Sequence, residues 1–260
     1  MLTDPQRQHA AQILRDAERR RTPVDPLTGI FPEIGAEDAY EIQLVNIRHR
    51  VAAGAEVRGH KVGLSSPVMQ RMMGVDEPDY GHLLDDMELS QDRSVAVSRY
   101  CAPRVEVEVG FVLGADLPGE DCTVADVLAA TEYVVPALEL IDSRIRDWRI
   151  SLADTIADNA SSAGYVIGEG RAPHELDLKA IDARLTAGGE LLAEGRSDAV
   201  LGDPAVSVAW LARTVARFGV RLRKGHLVLP GSCTRAVDVT AGHTFTAEFT
   251  GLGSVSLSFD

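Results

Sequence analysis

Residues Arg104–Leu113 read RVEVEVGFVL, a strict alternation that an extended strand sorts onto two faces. Val105, Val107, Val109 and Phe111 make one face apolar, while Glu106 and Glu108 share the other, roughly 7 Å apart at ~3.3 Å per residue. Two like charges side by side leave two readings. Either that face is a solvated polar face, or something positive holds both carboxylates. Glu139 bears on the choice. In VVPALELID it shares a strand face with Val135, Ala137 and Ile141, which makes that face a buried one. A lone buried carboxylate is costly, so Glu139 calls for an arginine or lysine, a raised pKa or a metal ion. Arg144 and Arg146 follow it too soon in the chain to be obvious strand partners. Three carboxylates with no histidine or cysteine among them form a hard-oxygen donor set, which favours Mg2+ or Mn2+ over zinc. Such a set leaves coordination positions open for a substrate.

The rest of the chain places this strand in an α+β (mixed α/β) architecture. Residues 4–21 and 36–53 carry helical periodicity, and Gly54 stands where the second helix needs a left-handed residue. EVRGHKVGLSSP reads as a short strand entering a loop, PVMQRMMG as a short helix with Pro67 near its start, and PDYGHLLDDM as a loop punctuated by Pro78 and Gly81. From about residue 103 strands dominate. EYVVPALELID is β-rich, and DARLTAGGELLAEG is a hairpin turning at Gly188-Gly189. One clear helix interrupts, with Asp203 as N-cap, Pro204 as first residue and Gly219 as stop. HLVLPGS, AVDVTAGHTFTAEF and GSVSLSF return to strand. The expected unit is a single catalytic domain over residues 1–260: a helical N-terminal layer to residue 55 and a β-rich body from 56.

Composition excludes several classes. Hydrophobic residues at 45% and charged residues at 25% match an ordinary globular protein. Against 39 acidic residues stand 26 basic ones, a net charge of −13 that argues against a nucleic-acid partner. The local cluster RDAERRRTP interleaves acids and reads as a solvated helix end. An acidic protein repels small anions at long range, so an anionic substrate needs a strong local cation. Cys101, Cys122 and Cys233 are far apart and odd in number, which speaks against disulfides or zinc and for a reducing compartment. The N-terminus lacks an apolar signal core and no run approaches a membrane span, so a cytoplasmic protein without membrane attachment is expected.

Other candidates are less specific. Lys61 in RGHKVGL is either a solvated strand lysine or a desolvated one of depressed pKa that moves protons. Asp79 beside Pro78 is a turn residue or an acid–base group, and His82 a lone loop histidine or an acid–base group. GLSSP is not a nucleophile elbow, because Pro67 replaces the second glycine. Phosphate-binding glycine loops and HExxH are absent from the sequence.

Six segments in order, GHKVGLSSPVMQRMMGVDEPDYGHLLDDM, PRVEVEVGFVL, ALELIDSRIRDW, IADNASSAGYVIG, DPAVSVAWLARTVARFG and GHLVLPGS, resemble the 2-hydroxypenta-2,4-dienoate (2-keto-4-pentenoate) hydratases of the fumarylacetoacetate hydrolase superfamily. The resemblance spans nearly the whole chain. It implies that Glu106, Glu108 and Glu139 are Mg2+ or Mn2+ ligands and that Lys61 and Asp79 transfer protons. It also implies that Ser161 and Ser232 lie near the substrate pocket. Pro230 departs from the small hydroxyl residue expected before Gly-Ser. The implied fold is a β-rich mixed α/β body, and the implied assembly a homo-oligomer, pentameric or decameric. The implied reaction is hydration of a 2-hydroxy-2,4-dienoate to a 4-hydroxy-2-oxo acid in aromatic or steroid ring catabolism. The rival within the family is a 2-oxo-3-hexenedioate decarboxylase, against which Asp79 speaks. A non-enzymatic module with a structural ion is the alternative of another class, although three carboxylates supply too few oxygens for a closed Ca2+ cage.

Overall fold

The computed structural model describes residues 1–66, 70, 75 and 77–260. The helix expected over PVMQRMMG lies outside the described residues apart from Gln70. Helices α1 (Asp4–Arg20), α2 (Leu27–Ile30) and α3 (Ala36–Ala52) form the N-terminal layer. Strands β1 (Val57–Gly63), β2 (Asp79–Leu84) and β3 (Pro103–Leu113) follow, then α4 (Val124–Ala130), β4 (Thr131–Asp142), α5 (Leu152–Ala157) and β5 (Ser162–Ile167). The chain continues through β6 (Asp182–Ala187), β7 (Glu190–Arg196), α6 (Pro204–Ala216), β8 (Leu227–Leu229), β9 (Val237–Asp238), β10 (Thr244–Phe249) and β11 (Gly253–Ser258). The α+β expectation holds. Among the described residues no helix is long and apolar enough to cross a membrane.

The main sheet runs β2-β1-β8-β3-β4-β5, with β9 pairing to β3, and a second sheet runs β11-β10-β6-β7. The alternation of β3 decides how the two faces are used. Val105, Val107, Val109 and Phe111 are buried in the large cluster that also holds α1, α3, α6 and the second sheet. Glu106 and Glu108 point to the opposite face, where Val112 of β3, Val135 and Ala137 of β4, Tyr165 of β5 and Leu229 of β8 form a separate, smaller apolar cluster. Water does not cover that face: Glu108 is fully buried. The solvated-strand reading of the two glutamates is thereby excluded.

The sheet curls, and its edges are drawn together. Beyond β2, the N–H of Leu89 donates to the carbonyl of Tyr165 in β5 at 2.7 Å. On β2 itself, Asn159 acts as a strand substitute: its amide donates to the His82 carbonyl at 2.9 Å and accepts from the His82 N–H at 2.8 Å. One side chain thus satisfies both backbone groups of His82 on an otherwise open edge. Asn159, Ala160 and Ser161 all have positive φ, 55°, 49° and 57°. Three consecutive non-glycine residues in the left-handed region carry strain, and the surrounding bonds must hold them there.

Two sequence expectations need correction. PDYGHLLDDM is not a loop; it contains β2, all six residues of which are buried. A strand buried on both faces shows no alternation, so Pro78 and Gly81 dominate its pattern. The glycine serves a close approach, since a Cβ at Gly81 would lie 2.4 Å from the Asn159 carbonyl oxygen. The helix starting at Pro204 is also joined by two short ones, α4 and α5, whose capping boxes at Thr123/Asp126 and Ser151/Asp154 were the available signal. The Gly188-Gly189 hairpin and the Asp203 cap form as expected. Asn159→Ala removes both bonds to His82 and leaves alanine in a left-handed position. Urea denaturation is expected to show a loss of about 2–4 kcal/mol.

Candidate metal centre

β3 and β4 are paired so that Glu106 stands directly opposite Glu139, with Glu108 opposite Ala137. Cross-strand neighbours on one face have Cβ atoms about 5 Å apart, so this register alone brings the three carboxylates together. One oxygen from each of Glu106, Glu108 and Glu139 can be chosen with all three atoms within 4.8 Å of one another. Glu108 and Glu139 are fully buried and Glu106 half-buried. Glu108 Oε2 accepts from the Gly231 N–H at 2.7 Å, but Glu108 Oε1 and both oxygens of Glu139 have no hydrogen-bond partner. Neither Arg144 nor Arg146 answers them. Arg144 is committed to Asp158 at 2.6 Å, and Arg146 faces Asp25.

Among the described residues the cation that meets the cluster is Lys61 of β1. Its Nζ lies 3.5 Å from Glu139 Oε2, an ion contact without hydrogen-bond geometry, and donates to the Ala160 carbonyl at 2.9 Å. That carbonyl is presented by the left-handed stretch described above. Asp79 opens β2, where it pairs with Gly63 of β1, while Lys61 pairs with Gly81. Both side chains turn to the carboxylate face. Asp79 Oδ2 accepts from the Thr155 hydroxyl at 2.6 Å, and Asp79 Oδ1 is buried without a partner. The point where a Cβ on Gly63 would sit is 2.2 Å from Asp79 Oδ1 and 3.1 Å from Lys61 Nζ. The acid and the ammonium therefore share one small space, which exists because residue 63 is glycine. At Gly231, φ is +124° and a Cβ would meet Ser65 Oγ at 1.9 Å, so glycine is required to bring that N–H to Glu108.

Electrostatics follow from this packing. Burial pushes all three glutamates up. Glu139 rises to about 7, with Lys61 opposing, and Glu108 is held well above its ordinary value by burial first and by the charges of Glu139 and Glu106 second. The depressed Lys61 pKa considered from the sequence is reversed. Burial by itself would lower it, but the fields of Glu139, Asp79, Glu106 and Glu108 hold it above its ordinary value. Lys61 is an ammonium here.

Among the described residues, four acids against one ammonium leave a strong negative excess in a buried space, with four carboxylate oxygens lacking a hydrogen-bond partner. Such an excess is stable only if protonated or matched by cations. The all-oxygen donor set, its spacing and its orphaned atoms fit a hard divalent ion such as Mg2+ or Mn2+.

The remaining sequence candidates separate. Ser161 is buried at the end of the left-handed stretch, its hydroxyl unpartnered. Ser232 is engaged elsewhere: its hydroxyl accepts from the Val107 N–H at 3.1 Å and lies 3.3 Å from the Val107 carbonyl, bracing β3. It supports the wall instead of offering a free group. His82 belongs to β2, not to a loop. Its Nδ1 is 2.8 Å from Gln43 Oε1, and burial, with His226 adding, takes its pKa down to about 3, which favours the neutral ring. Pro230 offers its carbonyl to the Ser207 hydroxyl at 2.6 Å. Sequence reasoning missed Thr155, Asn159, the Ala160 carbonyl and the glycines at 63 and 231. Only the Ser151/Asp154 capping box pointed to the helix that carries Thr155.

The family model described as fumarylacetoacetate (FAA) hydrolase C-terminal matches residues 84–259. The chain belongs to that family. Relatives of this fumarylacetoacetate hydrolase family protein include a 2-keto-4-pentenoate hydratase of Paraburkholderia xenovorans (strain LB400), 45% identical over 260 residues, which cover 100% of this chain and 97% of that one. A 2-oxo-hept-4-ene-1,7-dioate hydratase of Escherichia coli is 42% identical over 257 residues, covering 96% of each. The solved 4-oxalocrotonate decarboxylase from Pseudomonas putida G7, complexed with magnesium and adipate, superposes with a TM-score of 0.96 at 36% identity, covering 100% of this chain and 99% of that one.

Three outcomes follow for the site. Glu108→Gln is expected to weaken Mn2+ binding roughly tenfold or more by titration calorimetry, with helical circular dichroism retained. Gly63→Ala forces Asp79 or Lys61 aside and is expected to lower turnover about a hundredfold at near-native melting temperature. The Glu139 pKa is raised on folding, so it stabilises the metal-free protein fully below about 4.5 and loses that contribution as pH rises through about 7. Calorimetric melting temperatures of metal-free protein should therefore fall between those pH values, and the gain on adding Mg2+ should grow across the same window.

Proposed function

We propose that this chain is a divalent-metal-dependent hydro-lyase that adds water to a 2-hydroxy-2,4-dienoate to give a 4-hydroxy-2-oxo acid. The observation that carries the reading is the shared space of Asp79 and Lys61 beside three clustered carboxylates: an acid–base pair next to a hard-cation site. The hydratase relatives at 42–45% identity over the full chain support it, and the magnesium of the decarboxylase structure supports the choice of ion.

Glu106, Glu108 and Glu139 would hold Mg2+ or Mn2+, which supplies Lewis acidity toward the carboxylate and 2-oxygen of the substrate. The protein's own groups handle the protons. Ketonisation removes the proton of the 2-hydroxyl and delivers one to C5, giving a conjugated 2-oxo-3-enoate. Water then adds, hydroxide to C4 and a proton to C3. Lys61, fixed by the Ala160 carbonyl and in ion contact with Glu139, is positioned to deliver a proton. Asp79 Oδ1, aimed into the same space and unpartnered, suits the acceptor role toward water. The buried Ser161 hydroxyl is available to the substrate carboxylate or oxygen. Residues 1–260 act as one catalytic unit, in a cytoplasmic homo-oligomer; the three free cysteines accord with a reducing compartment.

The test is a panel of 2-hydroxydienoates of increasing chain length followed by ultraviolet absorbance. Absorbance is expected to fall with Mg2+ present, to stop with chelator, and to resume on metal addition, with a 4-hydroxy-2-oxo acid as product. Bicarbonate release from 2-oxo-3-hexenedioate, with no hydration, would replace this reading with the decarboxylase.

A further inference from the structure

We propose that Thr155 is the positioning residue of Asp79: its hydroxyl occupies one carboxylate oxygen so that Oδ1 alone faces the reacting substrate. The inference rests on the acid–base role just given to Asp79, and adds a residue from a helix that had no place in it.

The Thr155 hydroxyl has one proton, and it goes to Asp79 Oδ2 at 2.6 Å, with both residues buried. A helical threonine ordinarily turns its hydroxyl back to the carbonyl four residues earlier. Here the hydroxyl goes to Asp79, while the Ser151 carbonyl keeps its regular helical bond from the Thr155 N–H at 3.1 Å. A carboxylate is otherwise free about its last torsion, whose profile is broad and two-fold. With Oδ2 tied, the plane of the group is set, and the unpartnered Oδ1 is the oxygen that shares the space over Gly63 with Lys61.

The distance between the two residues is itself held from outside. Gln43 of α3, fully buried, donates through Nε2 to the Tyr80 carbonyl at 2.9 Å and to the Ile156 carbonyl at 2.6 Å. Tyr80 directly follows Asp79, and Ile156 directly follows Thr155. One amide thus clamps the two backbones that carry the pair. The start of α5 is pinned as well, since Thr28 donates its N–H and its hydroxyl to Asp154 at 3.1 and 2.9 Å. Two N-terminal helices, α2 and α3, and the later α5 therefore converge on the orientation of one carboxylate.

Turnover of the Mg2+-loaded enzyme decides whether this arrangement is catalytic positioning or only satisfaction of a buried acid. Thr155→Val is expected to lower kcat about tenfold to a hundredfold with KM changed less than about twofold, the size of a lost hydrogen bond to a charged group. Thr155→Ser, which keeps the hydroxyl and loses the methyl, should restore most of kcat. Combined with Asp79→Asn, Thr155→Val should cost nothing further, because both act through one group. Wild-type kcat in Thr155→Val, or multiplicative losses in the double variant, would overturn the proposal. Crystals of Thr155→Val give a readout independent of turnover: Asp79 Oδ1 unmoved counts against positioning, and a rotated carboxylate supports it. If the wild type hydrates no dienoate, the proposed function fails, while those crystals still decide the role of Thr155.

Discussion

Like charge held out of water is the constraint around which the rest is arranged. Two fully buried glutamates, a third half-buried and a buried aspartate face one lysine, and two unit charges 4 Å apart interact by about 4 kcal/mol even at an effective dielectric constant of 20. No local preference of the chain would choose that arrangement. It forms because the other face of the same strand, Val105 to Phe111, is committed to the main core, and a strand cannot bury one face without aiming the other. The apolar side chains offset the cost of the carboxylates, and what remains is an affinity for a dication.

The site is built from backbone as much as from side chains. Lys61 is held by a carbonyl, Glu108 by an amide, and the carbonyl belongs to residues in the left-handed region whose neighbour Asn159 ties down the β2 edge. Strained backbone of this kind persists only when its surroundings over-determine it. Here the surroundings are the edge of a sheet on one side and an ammonium on the other. One stretch of backbone thus serves both the closure of the β2 edge and the seating of Lys61. The N-terminal helices belong to the site too, through Gln43 and Thr28.

Much of this was legible in the chain. The two long helices, the Asp203 cap, the glycine hairpin and β3 follow from periodicity, capping residues and alternation, all local properties. Glu139 stood out because an acid on an apolar strand face demands a partner, and that demand holds wherever the partner comes from. β2 was not legible, because its burial on both faces erases alternation. Short helices α4 and α5 hold too few turns for a period to show, so nothing marked Thr155. The reversed Lys61 pKa has a similar cause. Burial of a lysine can be guessed from flanking valines and glycines, but the sign of the shift depends on which charges other strands bring within reach.

By itself the amino-acid sequence determined which residues could share a face and which chemistry they could support: three hard-oxygen donors, a lysine and an aspartate, because side-chain type and strand alternation are local facts. Tertiary structure decided which of these meet. The β3–β4 register set Glu106 opposite Glu139, the curl of the sheet brought β1 and β2 over them, and α5 arrived to fix Asp79. Those outcomes depend on contacts between residues far apart in the chain, 76 positions for Thr155 and Asp79. Long-range pairings of that kind follow from packing of whole elements and leave no mark in any single segment.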